Sequence, residues 1–305
     1  MKAKTFFKNF GSETWINLKN FGAEFKKLDA TQIIILLFLT ILAVFMLLPI
    51  VYIFNHAFKP LHELFLFPPT FIVQDPTFQN FVELMSMTTS TFVPVSRYIF
   101  NSVIVTVIAT AAMVLTSSLC AYALSKHKFP GVNIVFSLIM LSLLFVPTVL
   151  QIPRYVVVQS LGIMNSYWGH VLPMVAMPVG VFLMKQFMDQ VPNEIMEAAK
   201  IDGASELRMF WQIVIPIVTP AIATIAIISF QGAWGNVETS QLFMQDESMK
   251  TLPYYMQSLT ANLANTVARQ GAAAAGALIM FLPQLIIFLF FQKKVIATMA
   301  HSGIK

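Results

Sequence analysis

The segment EAAKIDGASELRMFWQIVIPIVTP, from Glu197 to Pro220, joins two kinds of sequence that seldom adjoin. Its first part is charged and rich in alanine, with Gly203 in the middle, and its second part is apolar with Pro216 and Pro220. A charged side chain at the centre of a membrane helix costs about 2.5–3.5 kcal/mol. The boundary between water and a bilayer is therefore predicted to fall within this segment.

The composition of the whole chain is typical of a membrane protein. Of its 305 residues, 57% are hydrophobic and 11% are charged, whereas a soluble domain has about 25% charged residues. Cys120 is the single cysteine, which excludes an internal disulfide and a cysteine-based metal cluster. The net charge of +5 comes without a basic cluster interleaved with aromatic residues, so nucleic acid is not expected as a partner.

Six apolar segments are long enough to cross a hydrocarbon core of about 30 Å. They cover about 32–54, 99–124, 133–153, 167–188, 212–234 and 272–292. The predicted fold class is therefore all-α, a polytopic helical membrane protein with six transmembrane helices. Prolines lie inside or at the ends of every segment except the second, and each is expected to kink its helix because it removes a backbone donor.

The distribution of basic residues predicts the orientation. If the N-terminus is cytoplasmic, five of the 19 lysines and arginines lie outside. Those five are Lys59, Arg97, Arg154, Lys250 and Arg269. Cytoplasmic loops carry the excess of positive charge, so both termini are predicted inside. The charged half of the opening segment then belongs to a cytoplasmic loop at about 189–211.

The regions outside the spans divide the chain further. Residues 1–31 form a cytoplasmic arm, which is either an interfacial amphipathic helix or a disordered basic arm, and residues 32–305 form the transmembrane domain. Two outer loops, about 55–98 and 235–271, are long. The first contains LHELFLFPPTFIVQDPTFQNF, which is too aromatic for a solvated linker and is expected to pack on the membrane surface or to contact another protein.

The cytoplasmic loop is predicted to form two short helices. Asn193 is expected to cap the first helix, and Asp202 or Ser205 the second. Ala198 and Ala199 leave one face of the first helix almost flat, and the glycine between the helices lets the chain turn. This shape suits docking into a groove of a cytoplasmic partner, and an ordinary interfacial helix is an equally good explanation.

The sequence holds no motif for catalysis. It contains no G-x-x-x-x-G-K-[ST], H-E-x-x-H or G-x-S-x-G, so no enzymatic activity and no cofactor or metal are expected in this chain. Neutral polar residues in the spans suit a neutral polar substrate, although helix packing uses the same residue types. The candidates for lining a translocation path are Asn101, Ser142, Gln151, Gln231 and Trp234.

EAAKIDGAS followed by FWQIVIPIVTP resembles the EAA motif of bacterial ABC importer permeases, E-A-A-x-x-D-G-A and then I-x-x-P. The stretches VFLMKQFMDQVPNEIMEAAKIDGAS, FQGAWGN and MKTLPYYMQSL are similar to its carbohydrate-uptake branch, in particular to the maltose-type second permease subunit. The resemblance covers about residues 40–295. One departure is Gly235, which stands between Trp234 and Asn236 where the family has a direct Trp-Asn pair.

The resemblance implies a type I ABC importer permease in the bacterial cytoplasmic membrane, working on a sugar or, as an alternative, on another small solute. The alternative from another class is an autonomous channel or a secondary transporter, for which intramembrane acidic residues or inverted repeats would be expected. Its partners would be a second permease subunit, two ATPase subunits that hold ATP and Mg, and an extracytoplasmic substrate-binding protein. Glu197 would make the polar contact with the ATPase, Ala198 and Ala199 the close fit, and Gly203 the turn. The coupling residues implied by the motif are Glu197, Ala198, Ala199, Asp202, Gly203 and Ala204.

Overall fold

The computed structural model describes residues 29–64, 66–68, 70–86, 93–260 and 270–302. These residues are nearly all helical and contain no β-sheet, which confirms the predicted all-α class. Residues 1–28 of the N-terminal arm, including its predicted interfacial helix, lie outside the described residues.

Three helices are long and apolar enough to cross a membrane unbroken. They are α1 (Ala30–Phe58), α4 (Val95–Lys126) and the first part of α15 (Gln270–Ser302), as far as Lys293. α4 follows Pro94 and contains neither proline nor glycine, so nothing in its sequence interrupts the backbone hydrogen bonds. These helices contain the predicted segments 32–54, 99–124 and 272–292.

The other three predicted spans are bent pairs of helices. Val132–Ser142 meets Pro147–Ser160 at 105°, Tyr167–Val175 meets Pro178–Met188 at 46°, and Glu206–Ile217 meets Thr219–Trp234 at 84°. Each second member has a proline in its first two positions, where the missing N–H costs nothing and the preceding turn is blocked. Within the described residues there are therefore three helices long and apolar enough to cross a membrane, or up to six if each bent pair is one span.

The remaining helices complete the order along the chain. α2 (Leu61–Leu64) and α3 (Gln79–Ser86) follow α1; the bent pairs supply α5 (Val132–Ser142), α6 (Gln151–Ser160) after a 3₁₀ turn, α7 (Tyr167–Val175) and α8 (Pro178–Met188). They are followed by α9 (Asn193–Ile201), α10 (Glu206–Met209), a π-helical turn (Phe210–Val214), α11 (Ile215–Ile217) and α12 (Thr219–Trp234). α13 (Glu238–Phe243), a 3₁₀ turn and α14 (Leu252–Thr260) precede α15.

The structure falls into two units that divide at Phe54 and Asn55. In the first unit, α1 exposes apolar side chains along its length, as expected of a helix whose surroundings are lipid or other helices. In the second unit, α4 is central and packs against α7, α8 and α12, while α12 also packs against α15. This bundle positions both regions described next.

Candidate coupling surface and outer cap

The loop at about 189–211, predicted to be cytoplasmic, forms the two short helices that the sequence predicts. α9 and α10 are joined at Gly203, whose φ of +76° is a conformation that glycine adopts without strain. Ser205 caps α10, since its Oγ accepts a hydrogen bond from the Arg208 N–H at 3.4 Å, whereas Asp202 closes α9. The expectation that Asn193 caps α9 is wrong: Pro192 holds the cap position and Asn193 is the first helical residue.

The two alanines of the loop differ in exposure. Ala199 is buried in the same apolar cluster as Met196, whereas Ala198 is exposed. Adjacent residues on a helix point about 100° apart, so both alanines cannot lie on one outward face. The expectation of a flat face formed by both is therefore wrong for Ala199. The outward face carries Glu197 and Ala198 together with Ile201, which is 86% exposed. Leu207 on α10 is 72% exposed.

Polar contacts fix the underside of this loop to the end of α4. The Lys126 Nζ donates to the Val191 carbonyl oxygen at 2.6 Å. The Tyr122 hydroxyl donates to Glu206 Oε2 at 2.9 Å, and Lys200 Nζ lies 3.1 Å from Glu206 Oε1. Glu206 thereby connects α4, α9 and α10 through one carboxylate.

Apolar packing joins the same elements from the inside. Met209 and Phe210 are buried with Met184 and Met188 of α8, and the Phe210 ring meets the Tyr122 ring edge-on at 5.2 Å. The π-helical turn that begins at Phe210 is the kind of irregularity often found at functional positions. The loop is therefore packed as one piece with the ends of α4 and α8, and a force on its outward face reaches both helices.

The five candidate path residues have different surroundings. Asn101 is buried, its Nδ2 donates to the Ser248 and Lys250 carbonyl oxygens at 2.8 Å each, and its Oδ1 accepts from the Tyr167 hydroxyl at 2.8 Å. Ser142 bonds back to its own helix. These contacts agree with the packing explanation that the sequence left open.

The other three candidates differ in exposure. The buried Trp234 indole N–H donates to the Met280 carbonyl oxygen at 2.8 Å, and its ring stacks on Phe230. Gln231 is exposed on α12, and Gln151 at the start of α6 is partly exposed. Of the five candidates, these two glutamines are therefore without the buried hydrogen bonds seen at Asn101 and Trp234.

Residues 236–252, at the start of the second loop predicted to lie outside, form what we call the outer cap. His170 of α7 is fully buried beneath it, with Nδ1 2.8 Å from Thr239 Oγ1 and Nε2 3.0 Å from the Met249 carbonyl oxygen. Ser102 of α4 accepts a hydrogen bond from the Leu252 N–H at 2.7 Å. The cap is therefore fastened to both α4 and α7.

Charged groups add to the outer cap. Arg154 of α6 pairs with Glu238 at 2.6 Å, and Lys250 pairs with Glu247 at 2.5 Å. Burial lowers the pKa of Lys250, but the hydrogen bonds and charge of Glu247 and the Tyr254 hydroxyl outweigh it, so the pKa lies above its usual value. The lysine is charged at neutral pH.

Asn236 has a defined role despite the inserted Gly235. Its Oδ1 accepts hydrogen bonds from the N–H and the hydroxyl of Thr239, both at 2.9 Å. These bonds close the first turn of α13 in the manner of a helix cap. Sequence reasoning did not identify His170, Ser102 or Thr239; their only signal was a polar side chain near the outer end of an apolar segment or in a polar loop.

The long apolar helices, the bent helix pairs and the bundle around α4 are those of a polytopic helical membrane protein. The chain belongs to the family of binding-protein-dependent transport system inner membrane components, whose model matches residues 114–299. The match includes the whole of α9 and α10, and it places the chain in a membrane.

Characterised relatives and a solved structure agree with this membership. The chain is 32% identical to Protein LplC of Bacillus subtilis (strain 168), over 88% of this chain and 93% of the relative. It is 28% identical to the arabinooligosaccharides transport system permease protein AraQ of the same organism, over 90% and 96%. A crystal structure of a bacterial ABC transporter involved in the import of alginate aligns with a TM-score of 0.73 at 22% identity, over 86% of this chain and 95% of that chain. That structure shows the fold of an importer permease.

Proposed function

We propose that this chain is the membrane-spanning subunit of an ATP-driven importer that brings an oligosaccharide into a bacterial cell. Family membership makes it a transport permease subunit. The sugar assignment is supported by the arabinooligosaccharide relative and by the alginate importer with the same fold. The observation that carries the proposal is the EAAKIDGAS segment, held as an exposed loop on a rigid base within the matched region.

The assembly has four further components. A second permease subunit completes the pathway, two ATPase subunits bind ATP and Mg at the cytoplasmic side, and a binding protein delivers the sugar from outside. The subunit resides in the bacterial cytoplasmic membrane with both termini inside. Hydrolysis takes place in the ATPase subunits because this sequence has no phosphate-binding loop.

Coupling runs through the outward face of α9. Glu197 accepts a polar contact from the ATPase, Ala198 allows close approach, and Ile201 fills an apolar pocket of the partner. Asp202, Gly203 and Ala204 set the turn, and Ala199 packs beneath it. Since the underside is joined to α4 and α8 as well as to the chain leading into α12, closure of the ATPase moves several helices of the bundle together.

Within the pathway, Gln151 and Gln231 are the polar contacts for the sugar, because their amide groups are not buried. Asn101, Ser142 and Trp234 border the path while their hydrogen bonds hold the helices. Amide side chains donate and accept hydrogen bonds, which matches the hydroxyl groups of a neutral sugar.

The test is ATP-driven uptake by the assembled transporter in liposomes that contain ATP. Glu197→Ala and Gly203→Pro are each expected to lower uptake and substrate-stimulated ATP hydrolysis together, because both act at the coupling loop. Lys293→Gln, an exposed charge elsewhere on the chain, is the matched control and should leave both rates unchanged. Unchanged rates in Glu197→Ala and Gly203→Pro would contradict the coupling role.

The substrate class is tested separately with the binding protein. Arabinooligosaccharides, alginate oligosaccharides and a peptide are offered in parallel, and the accepted ligand is then offered to the full transporter. Uptake of an oligosaccharide is expected. Uptake of the peptide alone would leave the permease assignment intact and overturn the sugar assignment, and uptake without any ATPase subunit would indicate an autonomous transporter.

A further inference from the structure

The first outer loop, residues 59–78, ends in an apolar tip. The sequence LFLFPPTFIV at 64–73 holds no charged residue. Phe67 is 95% exposed and Ile72 is 69% exposed, and Leu66 and Phe71 beside them are exposed as well. Single exposed apolar residues are ordinary, but a contiguous group of this kind marks an interaction surface.

Buried charges hold this tip in place. Lys59 is 2% exposed and its Nζ donates to the Thr70 carbonyl oxygen. Glu63, 3% exposed, accepts hydrogen bonds from the Asp75 N–H at 2.7 Å and the Gln74 N–H at 3.1 Å. A buried charge is stable only when hydrogen-bonded, so these contacts bind the two sides of the loop together and present the tip outward.

The base of the loop rests on the ends of two membrane-crossing helices. The Asn80 Nδ2 donates to the Ala57 carbonyl oxygen at 3.0 Å, near the end of α1. At the start of α15, a Cβ added to Gly271 would lie 2.3 Å from Asn80 Oδ1, so only glycine permits this approach. The ends of spanning helices lie at the membrane surface, so the base of the loop is expected at the level of the lipid headgroups.

We propose that this tip inserts into the interfacial region of the outer leaflet and anchors the ends of α1 and α15 to the membrane. Phe67 and Ile72 enter the boundary between headgroups and acyl chains, and the exposed polar residues His62, Gln74 and Asp75 at the base of the tip stay in water. Leu61 and Phe78 are exposed at the base beside these polar residues, so apolar and polar groups meet there as they do on an interfacial helix. The contacts of Lys59 and Glu63 already join the two sides of the loop, so little conformational entropy is lost at its base on insertion.

Because the chain has a single cysteine, one substitution gives a cysteine-free background for site-specific labelling. Cys120 is replaced by serine, and Phe67→Cys is labelled with an environment-sensitive fluorophore. The full-length chain, purified with the subunits that accompany it, is reconstituted into liposomes with and without spin-labelled lipid. Asp75→Cys, labelled in the same way, is the matched control on the polar side of the loop.

At position 67 the fluorophore emission is expected to shift to shorter wavelength and to be quenched by lipid that carries its spin label near the headgroup. At position 75 the emission should remain that of a dye in water. Water-like, unquenched emission at position 67 would overturn the proposal. A shift without quenching would also overturn it, since the tip would then contact a protein. Neither readout depends on transport, so the proposed function and this inference can fail independently.

Discussion

The loop at 189–211, which we call the coupling loop, and the outer cap both carry polar side chains. The two regions place these side chains in opposite ways. Where the outer cap meets the helices, polar groups face inward: Asn101 of α4, His170 of α7 and Thr239 of the cap are buried, and each forms a hydrogen bond between cap and helix. In the coupling loop, Glu197 and Ile201 face outward, and the fastening contacts lie underneath. A surface that closes on itself stabilises the bundle, whereas a surface with an unburied face on a rigid base is suited to a partner.

The largest effect on stability is expected from His170→Ala in the outer cap. The change removes a fully buried ring and leaves the Thr239 hydroxyl and the Met249 carbonyl without that partner. The expected loss is about 2–4 kcal/mol in the free energy of unfolding, read from thermal or denaturant unfolding in detergent. His62→Ala, at an exposed position, is the control, and equal stability of the two variants would mean that the cap is not fastened through His170.

Asn101→Ala should cost about 2 kcal/mol, because three hydrogen bonds at a buried position are lost. The same variant separates the two explanations of this residue. If unfolding shifts and the affinity for sugar does not, Asn101 holds the helices. If sugar uptake falls without any change in the free energy of unfolding, Asn101 lines the path. The buried Asn101 and the exposed Gln231 would then both contact sugar.

Gly203→Val should cost about 1–2 kcal/mol, since a β-branched residue is strained at a φ of +76°. Substrate-stimulated ATP hydrolysis is expected to fall along with stability, because the turn sets the direction of α9. Gly232→Ala is the matched control: an added Cβ meets open space within α12, and the variant should be at least as stable as the wild type. Loss of coupling in the control alone would contradict the role of the turn.

The smallest effect is the dependence of outer-cap stability on alkaline pH. The pKa of Lys250 is raised in the folded chain, so its contribution is fully present below the unfolded value of about 10.4 and is lost as pH rises through the folded value. The thermal unfolding temperature of the wild type should fall across that pH range by more than that of Lys250→Met. Parallel pH profiles for the two proteins would show that the pair with Glu247 adds no stability.

The sequence predicted the parts of the coupling loop that depend on local chemistry. A proline, a run of helix formers and a glycine are sufficient to predict α9, the turn and α10. The direction of each side chain depends on how α9 docks against α8, which no local pattern encodes. For this reason Ala199 was expected on the docking face and lies inside.

The outer cap was harder to predict because its partners are far apart in sequence. Asn101 bonds to the carbonyls of Ser248 and Lys250, and Ser102 to the N–H of Leu252. The loop reads as a polar, solvated segment, and its hydrogen bonds become visible only when α4 and α7 are placed beside it. The expectation of a kink at proline holds at the breaks before Pro147 and Pro178 and beside Pro220, whereas Pro49 and Pro283 lie inside the continuous helices α1 and α15. The angles at the three breaks are set by packing between helices.

The central claim is that the outward face of α9 binds the ATPase, and cysteine accessibility at Ala198 tests it most directly. Ala198→Cys in the Cys120→Ser background is treated with a maleimide reagent, first in the purified permease and then in the complex with its ATPase subunits. Rapid modification of the isolated permease and strong protection in the complex are expected, with Phe67→Cys on the outer loop unaffected by the ATPase. Equal modification rates at position 198 in both samples would contradict the claim.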